Sequence, residues 1–519
     1  LQGSDSASKI VILVDRARAS AQFPNPVIDG WDLFLIEEKA KRAGLDPGVL
    51  GFASCADAAG DLPLWLKQFF PNAEICIPLD GTALRAVTGL HDIRKWHLSP
   101  LAALSEFHFR KVLPSFHPES IRREYPLSLY LEMTLVKAEA ELRTPGAVFR
   151  NKPKRFFFSP PLAETFAILD SLVDKPWLSV DLETGRGQIN TVGFAWSESD
   201  AIAVNVLPER CSADQYAVLW EKIRRLCEGP ALKLAQNGIY ETLYLSKYGI
   251  RLTNLVHDCM WAMKFLWPEL EKGLDNVGRL YTTEPYWKDV GKVHGTEGKT
   301  KDWGNVRDWH RHYLYNCLDT ANSFEAAMNQ MADLRERGQY DLFYNFIMRF
   351  MPPLQEMCLR GLPVCPETHA RLISEYEGKV AELTASLSKP INPRSAKQKL
   401  ELFKSKGYAI PKSSKKNAKS GERESKESTD ELALKKLRLK HPQDTDLISL
   451  IEIIEYQGAL SKYFYATLDS DNHARFMLDG VATETGRWSS SLDPWGGGFN
   501  AQTVPGYMKK AIRWSAHSE

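Results

Sequence analysis

Six residues carry the chemistry that this sequence suggests. Asp181 and Glu183 flank Leu182 just after the apolar run Trp177-Leu178-Ser179-Val180. Asn237 ends a second such run, and Glu241 follows four residues later. Tyr315 and Asp319 stand four apart in a helical pattern. Alone, a D-x-E is usually a solvated strand end, and a Y-x-x-x-D is an ordinary stretch of helix surface. In this order and on these elements they suggest acidic side chains gathered from separate segments. Divalent cations take oxygen ligands, and a pair about 3.5–4 Å apart can clamp both the attacking and the leaving oxygen of a phosphodiester. The chemistry expected is the hydrolysis of nucleic acid.

The chain that must position these residues has 519 of them, enough for three or four domains at roughly 100–200 residues each. Apolar and charged fractions are 44% and 25%, ordinary for a globular protein. No apolar run approaches the roughly 18 residues of a membrane span, and no signal peptide is visible. With a net charge of +1, any nucleic-acid footprint must be local. The eight cysteines form no C-x-x-C pair, which argues for reduced thiols in a cytoplasmic setting and against a zinc site. Leu1-Gln2-Gly3-Ser4 reads as an expression scar.

The first stretch alternates strand and helix. Ile10–Val14, Glu74–Ile77 and Lys111–Pro114 read as strands. Trp31–Gly44, Gly81–Val87 and a segment from about Leu127 to Leu142 read as helices. That alternation predicts a parallel α/β sheet. A basic, proline-bearing linker follows at about 147–162 (Arg150, Lys152, Lys154, Arg155). Leu178–Leu182, Thr191–Trp196 and Ala201–Val206 then predict a three-strand meander. A helix from about Asp214 to Leu226 and a strand at Leu232–Ala235 complete a mixed sheet flanked by helices. Beyond about Gly338 the periodicity turns helical. Leu372, Tyr376, Val380, Leu383 and Leu387 mark one amphipathic stretch, and Leu447, Ile451, Ile454, Phe464 and Leu468 a second. Pro411–Glu427, rich in lysine and serine, reads as a mobile basic loop, and Ser428-Thr429-Asp430-Glu431 has capping-box spacing. Asp258, in His257-Asp258-Cys259, reads as the cap of the helix after it.

Residues 165–337 resemble the proofreading 3′–5′ exonuclease domain of family-A DNA polymerases, a ribonuclease H-like (DEDD) fold. The motifs are Asp181-Leu182-Glu183-Thr184, Gln236-Asn237-Gly238-Ile239-Tyr240-Glu241 and Tyr315-Asn316-Cys317-Leu318-Asp319. Leu266-Trp267-Pro268-Glu269-Leu270-Glu271-Lys272-Gly273-Leu274-Asp275 is similar to a segment of the bacteriophage enzymes. The resemblance implies two divalent ions, Mg²⁺ or Mn²⁺, held by Asp181, Glu183, Glu241 and Asp319. Tyr315 would orient the attacking water, and Asn237 would help hold the terminal nucleotide of a single-stranded 3′ end. The family has Asp where this chain has Glu241. The extra methylene moves the carboxylate by roughly an ångström, and a displacement of that size can cost about a hundredfold in rate.

A second resemblance, to the thumb and first part of the palm of the same polymerases, covers residues 338–475 and 476–519. It rests on Asn392-Pro393-Arg394-Ser395-Ala396-Lys397-Gln398, Thr485-Gly486-Arg487-Trp488-Ser489-Ser490-Ser491 and Asn500-Ala501-Gln502-Thr503-Val504-Pro505. It implies that Arg487, Asn500 and Gln502 touch primer–template DNA, a role that suits the planar fork of arginine. The segments that carry the polymerase carboxylates and fingers in that family are not in this sequence. The expectation is either an engineered truncation or a second polypeptide that supplies them. Residues 1–146 resemble, less specifically, the uracil-DNA glycosylase fold. Here the residues are Ile77-Pro78-Leu79-Asp80-Gly81-Thr82-Ala83, Ile93-Arg94-Lys95-Trp96 and Leu113-Pro114-Ser115-Phe116-His117-Pro118-Glu119-Ser120. The water-activating loop of that family is missing from Asp15-Arg16-Ala17-Arg18-Ala19-Ser20. A non-catalytic domain that binds DNA or packs on the rest is implied, with His117 structural.

The expected fold class is thus multidomain α/β. It comprises a glycosylase-like domain (1–146), a linker (147–164), an exonuclease domain (165–337), a helical thumb (338–475) and the start of a palm (476–519). The expected function is that of a bacteriophage-like family-A polymerase part, in the bacterial host cytoplasm, with no membrane partner. The rival expectation is a DNA-binding subunit whose nuclease has lapsed through Glu241.

Overall fold

A computed structural model describes residues 7–15, 30–58, 60–144, 153–291, 308–416, 423–483 and 485–506, with Lys509 and Ile512. Leu1–Ser4, most of the Asp15–Ser20 stretch, Arg150 and Lys152 lie outside the described residues. The chain divides into two compact units, one of residues 1–353 with 483–487, the other of 354–482 with 488–519.

The first unit opens with a five-stranded sheet. Its strands are β1 (Ile10–Val14), β2 (Leu50–Ser54), β3 (Ile75–Pro78), β4 (Leu101–Ala102) and β5 (Lys111–Val112), in the order β2-β1-β3-β5-β4. All pairs are parallel except β4 with β5. Helices α1 (Gly30–Arg42), α2 (Leu62–Phe69), α3 (Gly81–Thr88), α4 (Ile93–Trp96), α5 (Pro118–Arg123) and α6 (Leu127–Leu142) surround it. Both faces are covered. Ile10, Ile12 and Val14 pack in one core with Ile36, Ala40, Leu131 and Leu135. Val11 and Leu13 pack in another with Leu66, Phe70, Leu84 and Val87. A sheet buried on both sides needs unbroken apolar strands, which is why β1 reads as it does. Each such buried aliphatic side chain contributes roughly 1.5–3 kcal/mol.

The sequence reading missed β2 and the antiparallel edge strand β4. Gly51 and Ala53 dilute the strand signal of β2. Glycine is required at 51, because a Cβ there would stand 2.4 Å from the Phe70 ring.

The second sheet of this unit is mixed, as expected. It contains β6 (Arg155–Phe158), β7 (Trp177–Gly185), β8 (Gln188–Ala195), β9 (Asp200–Asn205), β10 (Leu232–Ala235) and β11 (Leu255–Asp258), ordered β11-β10-β7-β8-β9-β6. β7, β8 and β9 form the antiparallel meander, while β10, β11 and β6 run parallel to their neighbours. Strand β6 lies within the stretch expected to be a linker. Its half-buried Phe156–Phe158 pair with β9, and that pairing makes it part of the sheet. The helices here are α7 (Leu162–Ser171), α8 (Ala213–Glu228), α9 (Gly238–Ser246), α10 (Cys259–Leu266), α11 (Leu274–Tyr281) and the long α12 (Trp309–Glu336). No described helix is long and apolar enough to cross a membrane.

The second unit is mainly helical. Pro366–Ala385, Ala396–Ser405, Glu431–Lys440 and Thr445–Ala459 enclose a core that includes Leu387, Leu402, Phe403, Leu434, Leu437, Leu447 and Leu450. Glu431–Lys440 is capped by Asp430, whose carboxylate accepts from Ala433 N at 2.9 Å, so the helix starts two residues later than a cap at Ser428 would place it. The stretch expected to be a mobile loop contains two paired strands, Lys412–Lys416 and Arg423–Glu427, in antiparallel register with Lys412 opposite Glu427. Its polar composition carries no hydrophobic period, so backbone pairing here has no signature in the sequence. The residues between these strands, 417–422, lie outside the described set.

Candidate active site

Strand β7 carries Asp181 and Glu183 two residues apart, so both carboxylates leave the same face of the sheet. Register places Asp181 opposite Gly193 and Glu183 opposite Thr191, with a bulge between Glu183 and Thr184. Helix α12 lies across that face and presents Tyr315 and Asp319 one turn apart. The approach is close because Gly193 has no side chain. A Cβ there would meet Asn316 Oδ1 at 2.4 Å and Thr320 Oγ1 at 2.5 Å. Asn316, between the two site residues, donates through Nδ2 to Asp181 Oδ2 at 2.8 Å. His312 reaches back to Thr191 Oγ1 at 2.9 Å. In this way Asp181, Glu183 and Asp319 come together from two elements, with one oxygen of each within 4.8 Å of the others.

The Tyr315 side chain is buried against Gly291, where a Cβ would stand 2.8 Å from its ring. Burial, reinforced by Asp319 and then Glu183, pushes its phenol well above the ordinary tyrosine range. The hydroxyl therefore keeps its proton at neutral pH and can donate it to an oxygen nearby.

Asn237 and Glu241 enter from the end of β10. Asn237 adopts the left-handed conformation (φ 66°) that asparagine tolerates better than most residues, and α9 starts at the next residue. The turn is held by Asp258, whose Oδ2 accepts from Gly238 N at 2.7 Å. Its Oδ1 accepts from Met260 N and Trp261 N at 2.9 and 3.1 Å, which makes it the cap of α10. The capping role expected for Asp258 is what the structure shows. Glu241 is 4% exposed and lies outside the group of three, and its Oε2 has no hydrogen-bond partner. Burial, then the charge of Asp181, raises its carboxyl well above the ordinary glutamate value.

Two site residues had no signal in the motifs. Trp287 donates from Nε1 to Asp319 Oδ1, and Lys288 reaches Asp319 Oδ2 at 2.7 Å and Tyr315 Oη at 3.1 Å. Burial works against the charge of Lys288. Asp319 outweighs it, helped by Asp181 and Glu183, and the ammonium titrates above the usual lysine range. A tryptophan followed by a lysine some thirty positions before a Y-x-x-x-D has no periodic relation to it, so no local pattern could have found them.

Three carboxylates gathered this closely are hard oxygen donors of the kind that suits Mg²⁺ or Mn²⁺. The unpartnered Oε2 of Glu241 is a further oxygen left in want of a partner. The donor set therefore fits divalent cations, held by Asp181, Glu183 and Asp319.

The remaining expected residues lie elsewhere. Arg487 is exposed. Asn500 caps a short turn through Gln502 N at 3.0 Å, and Gln502 Nε2 donates to Trp488 O at 2.8 Å. Beside the five-stranded sheet, His117 accepts from Glu119 N at 3.1 Å and caps α5. It also lines a cavity of about 840 Å³ together with Asp15, Asp80, Arg85 and His91.

No family model matches the chain, and no curated protein matches it. Among solved structures it is similar to the POL domain of Pol1 from M. smegmatis in complex with DNA primer-template and dNTP. The TM-score is 0.47 and the identity 17%, over 69% of this chain. The chain spans 57% of that protein chain.

Proposed function

We propose that the chain is the exonuclease and thumb part of a family-A DNA polymerase, removing nucleotides from primer 3′ ends. The observation that carries this reading is the convergence of Asp181, Glu183 and Asp319 to within 4.8 Å, beside the buried Tyr315. Two divalent ions bound there would supply an activated water and charge neutralisation at the phosphodiester. The protein's own residues do the rest. Asp181 and Glu183 are fixed by strand pairing, Asn316 orients Asp181, and Tyr315 offers a proton to hold the water in line. Asn237, at the turn between β10 and α9, faces the terminal nucleotide. Arg487, Asn500 and Gln502 grip the primer–template duplex, and the glycosylase-like domain is non-catalytic.

A second reading has one observation in its favour. Both oxygens of Asp319 already accept, from Trp287 and from Lys288, as they would in a lapsed nuclease that only binds DNA. A 5′-labelled primer separates the two. The first reading expects Mg²⁺- or Mn²⁺-dependent release of mononucleotides from the 3′ end, abolished by chelation. Binding of primer–template with no release in either metal overturns it.

A further inference from the structure

The segment 286–291 touches two parts of the first unit at once. Tyr286 faces the N-terminal domain. Its backbone N–H donates to the buried Ser99 Oγ at 3.2 Å, and its ring meets the edge of Trp96 at 5.7 Å between centroids. Trp287 and Lys288 turn the other way, onto Asp319 and Tyr315. Asp289 returns to the N-terminal domain and pairs with Lys95, whose ammonium also lies 4.8 Å from the Trp96 ring. Gly291 closes against the ring of Tyr315.

The fit on each side is tight. A Cβ at Gly278 of α11 would stand 2.4 Å from the Trp287 ring, so that ring is seated directly on the helix backbone. The C-terminal end of α11 is in turn held by Lys137 of α6, which donates to the carbonyls of Arg279 and Thr282, the latter at 3.2 Å, and to Leu98 O at 3.4 Å. A cation at that end of a helix is favourable to its dipole. Neighbouring residues of one short segment thus anchor alternately in the N-terminal domain and in the carboxylate cluster.

We propose that the N-terminal domain is a positioning element of the nuclease site. Lys95, Trp96 and Ser99 hold Tyr286 and Asp289, and thereby keep Trp287 and Lys288 on Asp319. This rests on the nuclease reading for its consequence, but not for its geometry. The domain then has a reason to be present without glycosylase chemistry: it is the wall against which one side of the nuclease site is built.

The test is a charge exchange in the full chain, with Lys95→Glu, Asp289→Lys and the double variant. Two quantities are followed: deuterium uptake by peptides covering 284–291, and kcat and KM for release from a labelled primer. Each single change should raise uptake in that segment and lower kcat about threefold, the size expected of a half-exposed ion pair, with KM nearly constant. The double variant should recover both. Trp96→Ala, which removes the ring packing, should lower kcat about tenfold. Unchanged uptake in the single variants, or a double variant no better than either single one, overturns the proposal. So does a fall in kcat without a rise in uptake. A wild-type chain that releases no nucleotide refutes the nuclease reading alone, since the uptake measurements still decide whether the domain holds the segment.

Discussion

The two sheets of the first unit both position acidic residues, one just after β3 and the other within β7, and they use them in opposite ways. In the N-terminal sheet, Asp80 follows β3 and has both carboxylate oxygens committed to backbone N–H groups. Oδ1 accepts from Ala83 and Oδ2 from Asp15, each at 2.8 Å. It ties the end of β1 to the start of α3. In the mixed sheet, Asp181 and Glu183 project toward Asp319 from a facing helix, and Glu241 is buried nearby with an unpartnered oxygen. A carboxylate satisfied by the backbone is a structural part. Carboxylates brought against one another are costly unless a cation joins them. The contrast in partners, rather than in residue type, separates the two regions.

The largest expected effect breaks this contrast directly. Asp181→Ala should lower mononucleotide release by about a thousandfold, the scale of losing a group that stabilises transition-state charge. Asp80→Ala should leave kcat near wild type while lowering the unfolding free energy by about 1–2 kcal/mol, the loss of a helix cap. Steady-state kinetics and urea unfolding on both variants decide it. Asp181→Ala with wild-type release, or Asp80→Ala with a collapse in kcat at wild-type stability, would erase the distinction.

How much of this was legible in the sequence follows from the range of the signals. Asp181, Glu183, Tyr315 and Asp319 were visible because their spacing is set by the period of one strand and one helix. The mixed sheet was visible because its meander strands are apolar and close together in sequence. β2 was hidden by its glycine, and β6 by its setting in a basic, proline-bearing stretch. The hairpin from Lys412 was hidden because polar strands have no hydrophobic alternation. Lys288 and Trp287 were hidden for a different reason. Their contact with Asp319 spans about thirty residues of chain, and the Trp287 ring is seated on Gly278 of α11, both of them tertiary facts. The charge state of Glu241 likewise depends on burial that no spacing encodes.

A smaller effect sharpens the comparison on its electrostatic side. Lys288 stands opposite Asp319 with 19% of its side chain exposed, against 6% for Asp319. Removing one partner of a largely buried pair leaves the other charge uncompensated, at about 3 kcal/mol. Lys288→Met should lower metal-free stability by about that amount, and Mg²⁺ should restore more stability to this variant than to wild type. Equal metal-induced shifts in melting temperature in the two proteins would show that Lys288 and the cation do not share the same carboxylate.

The smallest expected effect concerns Glu241 and pH. Its carboxyl is raised well above the ordinary value by burial first and by Asp181 second. In metal-free protein the folded state therefore keeps this proton above pH 4.5, where the unfolded state has lost it. The folded state binds the extra proton, so stability is fully present below the unfolded value and is lost as pH rises toward the folded one. Each pH unit in that window removes about 1.4 kcal/mol. Glu241→Gln has no proton to lose. Its stability should match wild type near pH 4 and increasingly exceed it as pH rises above that, until the folded carboxyl ionises. Binding a divalent cation should narrow the gap, because the cation favours the charged form that burial disfavours. Parallel stability–pH curves for wild type and Glu241→Gln would mean that Glu241 is an ordinary, well-partnered carboxylate, and its region would then resemble the N-terminal sheet.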